Sequence, residues 1–138
     1  MIAYLDSSVL LRVVLGQANA LREWSAIEGG VVSALVEVES LRTLDRLRLL
    51  ERLSDEEITV RREAVYRLLD TLEVIEPTRP VLTRAAQPLP TALGTLDAIH
   101  LATALLWRDR GHADLVMATH DEGLAIAAKA SGLRVIGV

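Results

Sequence analysis

Two short apolar runs of the chain end on an aspartate instead of a turn residue. Asp6 directly follows IAYL, and Asp121 lies just beyond LVMAT. Asp97 stands in the first turn of the helical pattern TLDAIHLATALLWRDRG, and Glu39 lies two turns into the helix predicted after VVS. If these carboxylates meet about 5 Å apart, each pair repels by roughly 3 kcal/mol at an effective dielectric constant of about 20. Such a group must bind protons or hold a cation.

The chemistry of the acids limits which cation that would be. The chain contains no cysteine, and a ligand set of oxygen atoms favours a hard divalent ion, Mg²⁺ or Mn²⁺. Magnesium keeps several waters and takes only a few carboxylates, which leaves room for a phosphate oxygen. The ion can orient and acidify a water for attack on phosphorus and neutralise charge on the leaving oxygen. The acids therefore indicate metal-dependent hydrolysis of a phosphodiester.

The elements that position these acids alternate between strand and helix. Short runs that are apolar on both faces predict strands at 2–5, 31–33, 72–76, within DLVMATHD and within LRVIGV. Helices are predicted from a cap at Ser7 or Ser8 to Leu15, and from Ala18 to Glu28 with Gly29 and Gly30 after its end. A third helix begins at Ser33, and a capping box at Ser54 and Glu57 begins a fourth that runs to Asp70. Further helices are predicted among the prolines at 77–90, over 95–111 and over 122–130.

This alternation predicts an α/β fold. We expect a single domain over residues 1–138, with a parallel twisted sheet of four to five strands between layers of helices. Ligands of such sheets bind at the carboxyl ends of the strands. All four acids are placed where they can reach that edge, so the sequence predicts that they converge there.

Composition limits the partners and the location of the chain. Of its 138 residues, 51% are apolar, which argues against disorder. No apolar run approaches the roughly 20 residues of a membrane span and no export signal is visible, so we expect a cytoplasmic protein. The net charge of −4 argues against a polyanionic ligand, but four clustered carboxylates would account for all of it. Lys129 is the only lysine; the arginines reflect either phosphate binding or genome base composition.

Four blocks of the sequence carry a family resemblance: YLDSS, SALVEVES, LDAIHLATA and ATHDEGLAIAAKASGLRVI. They resemble the blocks of the PIN-domain ribonucleases, and the chain length and block order are most similar to VapC-type toxins of toxin–antitoxin pairs. The resemblance spans residues 2–138 and is weakest over 45–90. The last two blocks are the more specific ones, because LDSS alone would mean little.

The resemblance implies roles for individual residues. It implies that the acidic metal-binding and catalytic positions are Asp6, Glu39, Asp97 and Asp121. Asp6 and Asp97 would be the direct ligands, and Ser8 and Thr119 resemble the family's small hydroxyl residues beside the metal. The resemblance also implies Mg²⁺ (or Mn²⁺) as cofactor, an RNA substrate that is often transfer RNA, a small cognate antitoxin protein and a homodimer.

Each aspartate also has a purely structural explanation. Asp6 can cap the helix that follows it, and Asp121 can do the same with Thr119 as competitor. Asp97 is a favourable acid in the first turn of a helix. Only the four acids together, in the order of the family, favour a site.

The second block leaves two questions open. Glu37 and Glu39 point about 200° apart on a helix, so only one can face a site; spacing from Ser33 favours Glu39. Glu39 could instead form a surface ion pair with Arg42. Arg42 and Arg46 share a helix face with Glu39, and we predict that they contact RNA phosphate.

The histidines and the leucines of this region are interpreted as packing residues. His100 lies one turn after Asp97 and could approach the cleft, but a packed helix histidine is the favoured interpretation. His120 should point away from Asp121, because side chains alternate along a strand. An apolar stripe at three-residue steps predicts the core-facing side of the helix after VVS, with members Leu35, Val38, Leu41, Leu44 and Leu47.

Three other functions compete with a ribonuclease. A signalling receiver domain needs a lysine near the last strand and an adjacent acidic pair, whereas Lys129 falls within the last helix. A HAD-type phosphatase needs a second aspartate at position 8, which is Ser8. A PIN fold that binds a partner without catalysis is the main alternative. Carboxylates and metal do not separate RNA from DNA, since both backbones present the same phosphate.

Overall fold

A five-stranded parallel sheet forms the centre of the computed structural model, which describes all 138 residues. The order across the sheet is β3-β2-β1-β4-β5, and every neighbouring pair is parallel. The predicted α/β class and parallel sheet are confirmed, with five strands. The strands are β1 (Ile2–Leu5), β2 (Gly29–Ser33), β3 (Glu73–Ile75), β4 (Val116–Ala118) and β5 (Arg134–Ile136).

Six α-helices and one short 3-10 helix connect the strands. The predicted capping box begins α3, where Ser54 Oγ accepts a hydrogen bond from the backbone N–H of Glu57 at 3.2 Å. None of the helices combines the length and the apolar character that a bilayer span requires. The helices are α1 (Ser7–Val14), the 3-10 helix (Arg22–Ala26), α2 (Leu35–Leu49), α3 (Asp55–Asp70), α4 (Arg79–Ala85), α5 (Thr95–Asp109) and α6 (Glu122–Ala130).

The core covers both faces of the sheet, because successive strand side chains alternate between faces. Tyr4 packs on one face with residues of α5 and α6, such as Leu101 and Leu124. Leu5 packs on the other face with residues of α1 and α2, such as Val9 and Val36. The helices that carry Asp97 and Glu39 therefore lie on opposite faces, and their acids can meet only at an edge.

The strand order identifies that edge. The chain runs outward from β1 through β2 to β3 and then returns to place β4 on the other side of β1. At such a reversal the connections leave in opposite directions and open a crevice at the carboxyl ends of the two central strands. Asp6 N–H donates to Ala118 O (3.3 Å) and Thr119 N–H to Ile136 O (3.1 Å), so strand pairing continues to this edge.

Two local predictions near the amino terminus are wrong. Neither Ser7 nor Ser8 caps α1; Asp6 does, because its carboxylate accepts the Val9 N–H. The helix predicted over 18–28 is only the 3-10 helix, and the two glycines that follow it belong to β2 instead of ending a helix. Gly30 is closely packed, since a Cβ there would lie 2.4 Å from Leu72 Cδ2 and that side chain would have to shift.

The apolar stripe predicted along α2 is wrong at Val38, although Leu44 is buried and Leu41 packs against the same core cluster. Val38 is 60% exposed, and the buried residues of the helix are Val36, Ser40 and Leu44. The reason is geometric: three-residue steps turn by about 300°, so a stripe of five drifts about 240° around the helix. Four-residue steps drift less, but the polar Ser40 hid that pattern in the sequence.

Candidate active site

Asp6 stands at the carboxyl end of β1 and is almost fully buried. Its Oδ1 accepts hydrogen bonds from the Val9 N–H at 3.2 Å and from the Ser8 hydroxyl. Its Oδ2 accepts a hydrogen bond from Thr119 Oγ1 at 2.6 Å. Capping α1 and facing the crevice are therefore not alternatives, because one oxygen does the first and the other oxygen reaches the end of β4.

Two hydroxyl groups join the ends of β1 and β4. Thr119 Oγ1 donates to Asp6 and accepts the backbone N–H of Asp121 at 3.0 Å. Ser8 Oγ also donates to Asp6 and accepts the backbone N–H of His120 at 3.0 Å. Each hydroxyl uses both its donor and its acceptor capacity, so the loop after β4 is fixed relative to the Asp6 carboxylate.

Asp121 leads into α6 and keeps a structural contact of its own. Its Oδ1 accepts the backbone N–H of Leu124 at 2.7 Å and caps the helix. Asp121 as a whole is exposed at the edge of the crevice. The capping explanation is thus present here too, and it uses only one of the two carboxylate oxygens.

Glu39 reaches the same edge from α2, with its side chain 18% exposed. Its Oε2 accepts a hydrogen bond from Ser7 Oγ at 3.3 Å, and its Oε1 lies 2.6 Å from His100 Nε2. The surface ion pair with Arg42 is not formed, because Arg42 pairs with Asp45 at 3.7 Å. Glu37 is exposed, so Glu39 is the glutamate of this block that faces the crevice.

His100 is buried, as the favoured interpretation predicted, but packing is not all that it does. Its Nδ1 lies 2.7 Å from the Tyr4 hydroxyl and its Nε2 contacts Glu39. Burial raises the pKa of the Tyr4 phenol well above its usual range, so Tyr4 stays protonated. Sequence reasoning missed the contacts of Tyr4, His100 and Ser7 with this site; the spacing of His100 one turn after Asp97 was the only signal.

Asp97 lies in the first turn of α5 and is partly buried. The pKa of its carboxyl is raised above the usual 3.8, first by burial and next by the charge of Asp121, with smaller contributions from Asp6 and Glu39. Nearby His100 opposes this shift. Asp97 thus lies within electrostatic range of the other three acids.

The donor chemistry of these acids suits a hard divalent cation. Carboxylate oxygens are the ligands that Mg²⁺ prefers, and a cation would relieve the repulsion at Asp97. No three Asp, Glu or His side chains lie together as a formed ligand set, and hydrogen bonds within the chain engage Asp6, Glu39 and Asp121. Mg²⁺ commonly takes one or two carboxylates and keeps its waters, so two acids suffice.

The remaining predicted residues are His120 in the loop after β4 and two arginines on α2. His120 points away from Asp121, and its Nδ1 lies 2.7 Å from the carbonyl oxygen of Gly137. Gly137 has a φ of +100°, and a Cβ there would lie 2.4 Å from Thr119 O. The end of β5 therefore packs tightly against the loop that holds Thr119. Arg42 and Arg46 lie on the solvent-exposed side of α2.

Comparison with known proteins gives a consistent result. The PIN domain family matches residues 3–130 of the chain. Ribonuclease VapC46 of Mycobacterium tuberculosis (strain ATCC 25618 / H37Rv) is 34% identical over 136 residues, covering 96% of this chain and 95% of the relative. The fold is similar to FitAcB from Neisseria gonorrhoeae, with a TM-score of 0.72, 21% identity and coverage of 99% and 96%. It is also similar to a toxin–antitoxin complex from Klebsiella pneumoniae, with a TM-score of 0.65, 20% identity and coverage of 89% and 90%.

Proposed function

The chain belongs to the PIN domain family, and on this basis we propose that it is a metal-dependent endoribonuclease and the toxin of a toxin–antitoxin pair. The observation that carries the proposal is the convergence of four acids at the carboxyl ends of the strands, where burial first, and then the charges of Asp121, Asp6 and Glu39, raise the pKa of Asp97. The similarity to VapC46 over nearly the whole of both chains supports ribonuclease activity.

Four acids have roles in this proposal. Asp6 and Asp97 would hold the ion, and Glu39 and Asp121 would complete the acidic set. Mg²⁺ or Mn²⁺ supplies orientation and acidification of the attacking water and neutralises charge on the leaving oxygen. Asp97 is suited to a direct contact because its carboxylate has no hydrogen-bond partner that would have to be displaced.

The rest of the site orients these acids. Ser8 and Thr119 each donate to one oxygen of Asp6, which fixes the plane of that carboxylate. Their second contacts run to backbone N–H groups of the loop after β4, so the loop and the carboxylate move together. This arrangement leaves little reorganisation for the moment of reaction.

The substrate and the partners follow from the same premise. We infer an RNA substrate, for which transfer RNA is the candidate. Its phosphates would contact the exposed Arg42 and Arg46. Contacts to the 2′-hydroxyl would separate RNA from DNA. A cognate antitoxin and a homodimer are also proposed; similarity of the fold to the Klebsiella pneumoniae complex supports the antitoxin. Such an enzyme would act in the cytoplasm, where its RNA substrates are.

One observation favours a second candidate, a PIN fold that binds a partner without catalysis. The carboxylates of Asp6, Glu39 and Asp121 are hydrogen-bonded within the chain, and no three-ligand set is formed. Melting the protein with and without Mn²⁺ separates the two candidates. An enzyme that binds the ion gains stability by mass action, about 2.7 kcal/mol at 100 times the dissociation constant, whereas the binding module shows no shift.

The direct test is cleavage of labelled RNA, including bulk transfer RNA, under single-turnover conditions. We expect cleavage with Mg²⁺ or Mn²⁺ and none with EDTA. Asp6→Asn should lower the cleavage rate by at least about 100-fold, and expression of this variant should no longer cause a growth defect. Asp114→Asn is the matched control, since this exposed acid precedes β4 and therefore lies at the amino ends of the strands, opposite the crevice. Wild-type protein that cleaves no RNA with either ion, together with an Asp6→Asn variant that remains toxic, would overturn the proposal.

A further inference from the structure

A buried chain of three polar side chains crosses the molecule beneath the acidic crevice. It starts at Tyr4 in β1, continues through His100 in α5 and ends at Glu39 in α2. The Tyr4 hydroxyl lies 2.7 Å from His100 Nδ1, and His100 Nε2 lies 2.6 Å from Glu39 Oε1. The side chain of His100 is 1% exposed, so water cannot replace either contact.

The geometry determines which nitrogen carries the hydrogen. An ionised carboxylate can only accept, so the short contact with Glu39 requires a hydrogen on Nε2 of His100. Nδ1 is then free to accept the single hydrogen of the Tyr4 hydroxyl. The opposite tautomer would direct the lone pair of Nε2 at a carboxylate oxygen. The network therefore assigns the Nε2–H form to the neutral ring, which Glu39 requires and which Tyr4 supports as a donor to Nδ1.

The contact matters for Glu39 because little else holds this side chain. Glutamate has three rotatable side-chain bonds, and the other contact, with Ser7, is long at 3.3 Å. His100 lies three residues after Asp97 on α5, whereas Glu39 is on α2 at the opposite face of the sheet. The His100 contact thus fixes the position of Glu39 relative to Asp97.

We infer that His100 is a positioning residue: its Nε2–H holds Glu39 at the crevice, and the Tyr4 hydroxyl supports the same tautomer by donating to Nδ1. The effect on RNA cleavage rests on the proposed function; the hydrogen-bond chain itself does not. A change at His100 should act through Glu39 alone, so its effect should depend on whether Glu39 is present.

The first test is independent of metal and of activity. Long-range ¹⁵N–¹H NMR of the metal-free protein reports which imidazole nitrogen carries the hydrogen. We expect the Nε2–H form for His100 in the wild type and in Glu39→Ala, where Tyr4 alone still favours it, and a mixture of tautomers in Glu39→Ala/Tyr4→Phe. A wild-type ring in the Nδ1–H form or protonated on both nitrogens, or a Glu39→Ala ring that the added Tyr4→Phe leaves unchanged, would overturn the assignment of Tyr4 and His100.

The second test is kinetic. His100→Leu should lower the single-turnover rate about 10- to 100-fold with the RNA concentration at half-saturation nearly unchanged. His100→Gln keeps an N–H donor near the position of Nε2 and should recover most of the rate. Leu105→Ala is the matched control, because it opens a cavity on the same helix away from the crevice; below its melting temperature it should cleave at the wild-type rate.

A double-mutant cycle separates positioning from structural damage. In a Glu39→Ala background, His100→Leu should cost less than about twofold, because the group that it positions is gone. An equal loss in both backgrounds, or a loss in His100→Gln as large as in His100→Leu, would overturn the inference. If the wild type cleaves no RNA, the proposed function fails, and the NMR result still decides whether the chain exists.

Discussion

Replacement of Asp97 by asparagine should raise the stability of the metal-free protein at neutral pH. Burial and three neighbouring acids raise the pKa of Asp97 above its usual value of 3.8, so the folded protein disfavours the ionised form. A group with a raised pKa imposes no penalty below its unfolded-state pKa, and the full penalty above its folded-state pKa. Asparagine cannot ionise and therefore avoids the penalty.

The magnitude follows from the linkage relation. One pKa unit corresponds to about 1.4 kcal/mol, and a partly solvated carboxylate keeps only part of that, so we expect about 0.5–1 kcal/mol. For a chain of this length the melting temperature should rise by about 2–4 °C at pH 7. The difference should shrink as the pH falls toward 4 and vanish below the usual carboxyl range.

The assay is thermal unfolding in EDTA from pH 4 to pH 8, with Asp55→Asn as the matched control. Asp55 also lies in the first turn of a helix but is exposed and outside the acidic crevice. Its replacement removes only the favourable interaction with the helix dipole, so its melting temperature should stay the same or fall. An Asp97→Asn variant that melts below the wild type at pH 7, or an equal rise in Asp55→Asn, would refute the proposed repulsion.

Three further predictions concern the support of the site and the core. Thr119→Val removes the donor to Asp6 and should cost about 1–3 kcal/mol of unfolding free energy and lower the rate of RNA cleavage about 10-fold or more; an unchanged rate would contradict its orienting role. Gly137→Ala should destabilise the protein by about 1–3 kcal/mol, because its φ is +100° and its Cβ would meet Thr119 O; urea unfolding measures this, and a neutral result would contradict the close packing. Leu44→Ala should lower the free energy of unfolding by about 2–5 kcal/mol and Val38→Ala by less than about 0.5 kcal/mol, since Leu44 is fully buried and Val38 is 60% exposed. Equal losses of the two variants in urea unfolding would show that Val38 is packed as the predicted stripe requires.

The fold could be predicted from the sequence because its three central strands, β1, β2 and β4, are short runs that are buried on both faces. Such runs require helices on both sides, and the strand-end rule then places Asp6 and the end of β4 at one edge. Helix lengths were predictable where a local signal exists, as at Ser54. They were not predictable at 18–28, where only the 3-10 helix forms and the glycines that follow join β2.

The contacts within the site were harder to predict than the acids. Glu39 and His100 lie 61 positions apart and reach each other from opposite faces of the sheet, so no local pattern encodes their contact. The double role of Asp6 was hidden for a different reason: capping and site explanations looked like alternatives, whereas a carboxylate has two oxygens and can serve both. Ser40 hid the buried face of α2 because a polar residue interrupts the apolar pattern.

Binding of Mn²⁺ tests the acidic site most directly and can be followed by the electron paramagnetic resonance signal of the free ion. We expect the wild type to remove Mn²⁺ from solution saturably, and the double variant Asp6→Asn/Asp97→Asn to bind at least about 10-fold more weakly. Asp114→Asn should bind like the wild type. Equal binding by the wild type and the double variant would contradict the claim that the acids between β1 and β4 hold a divalent cation.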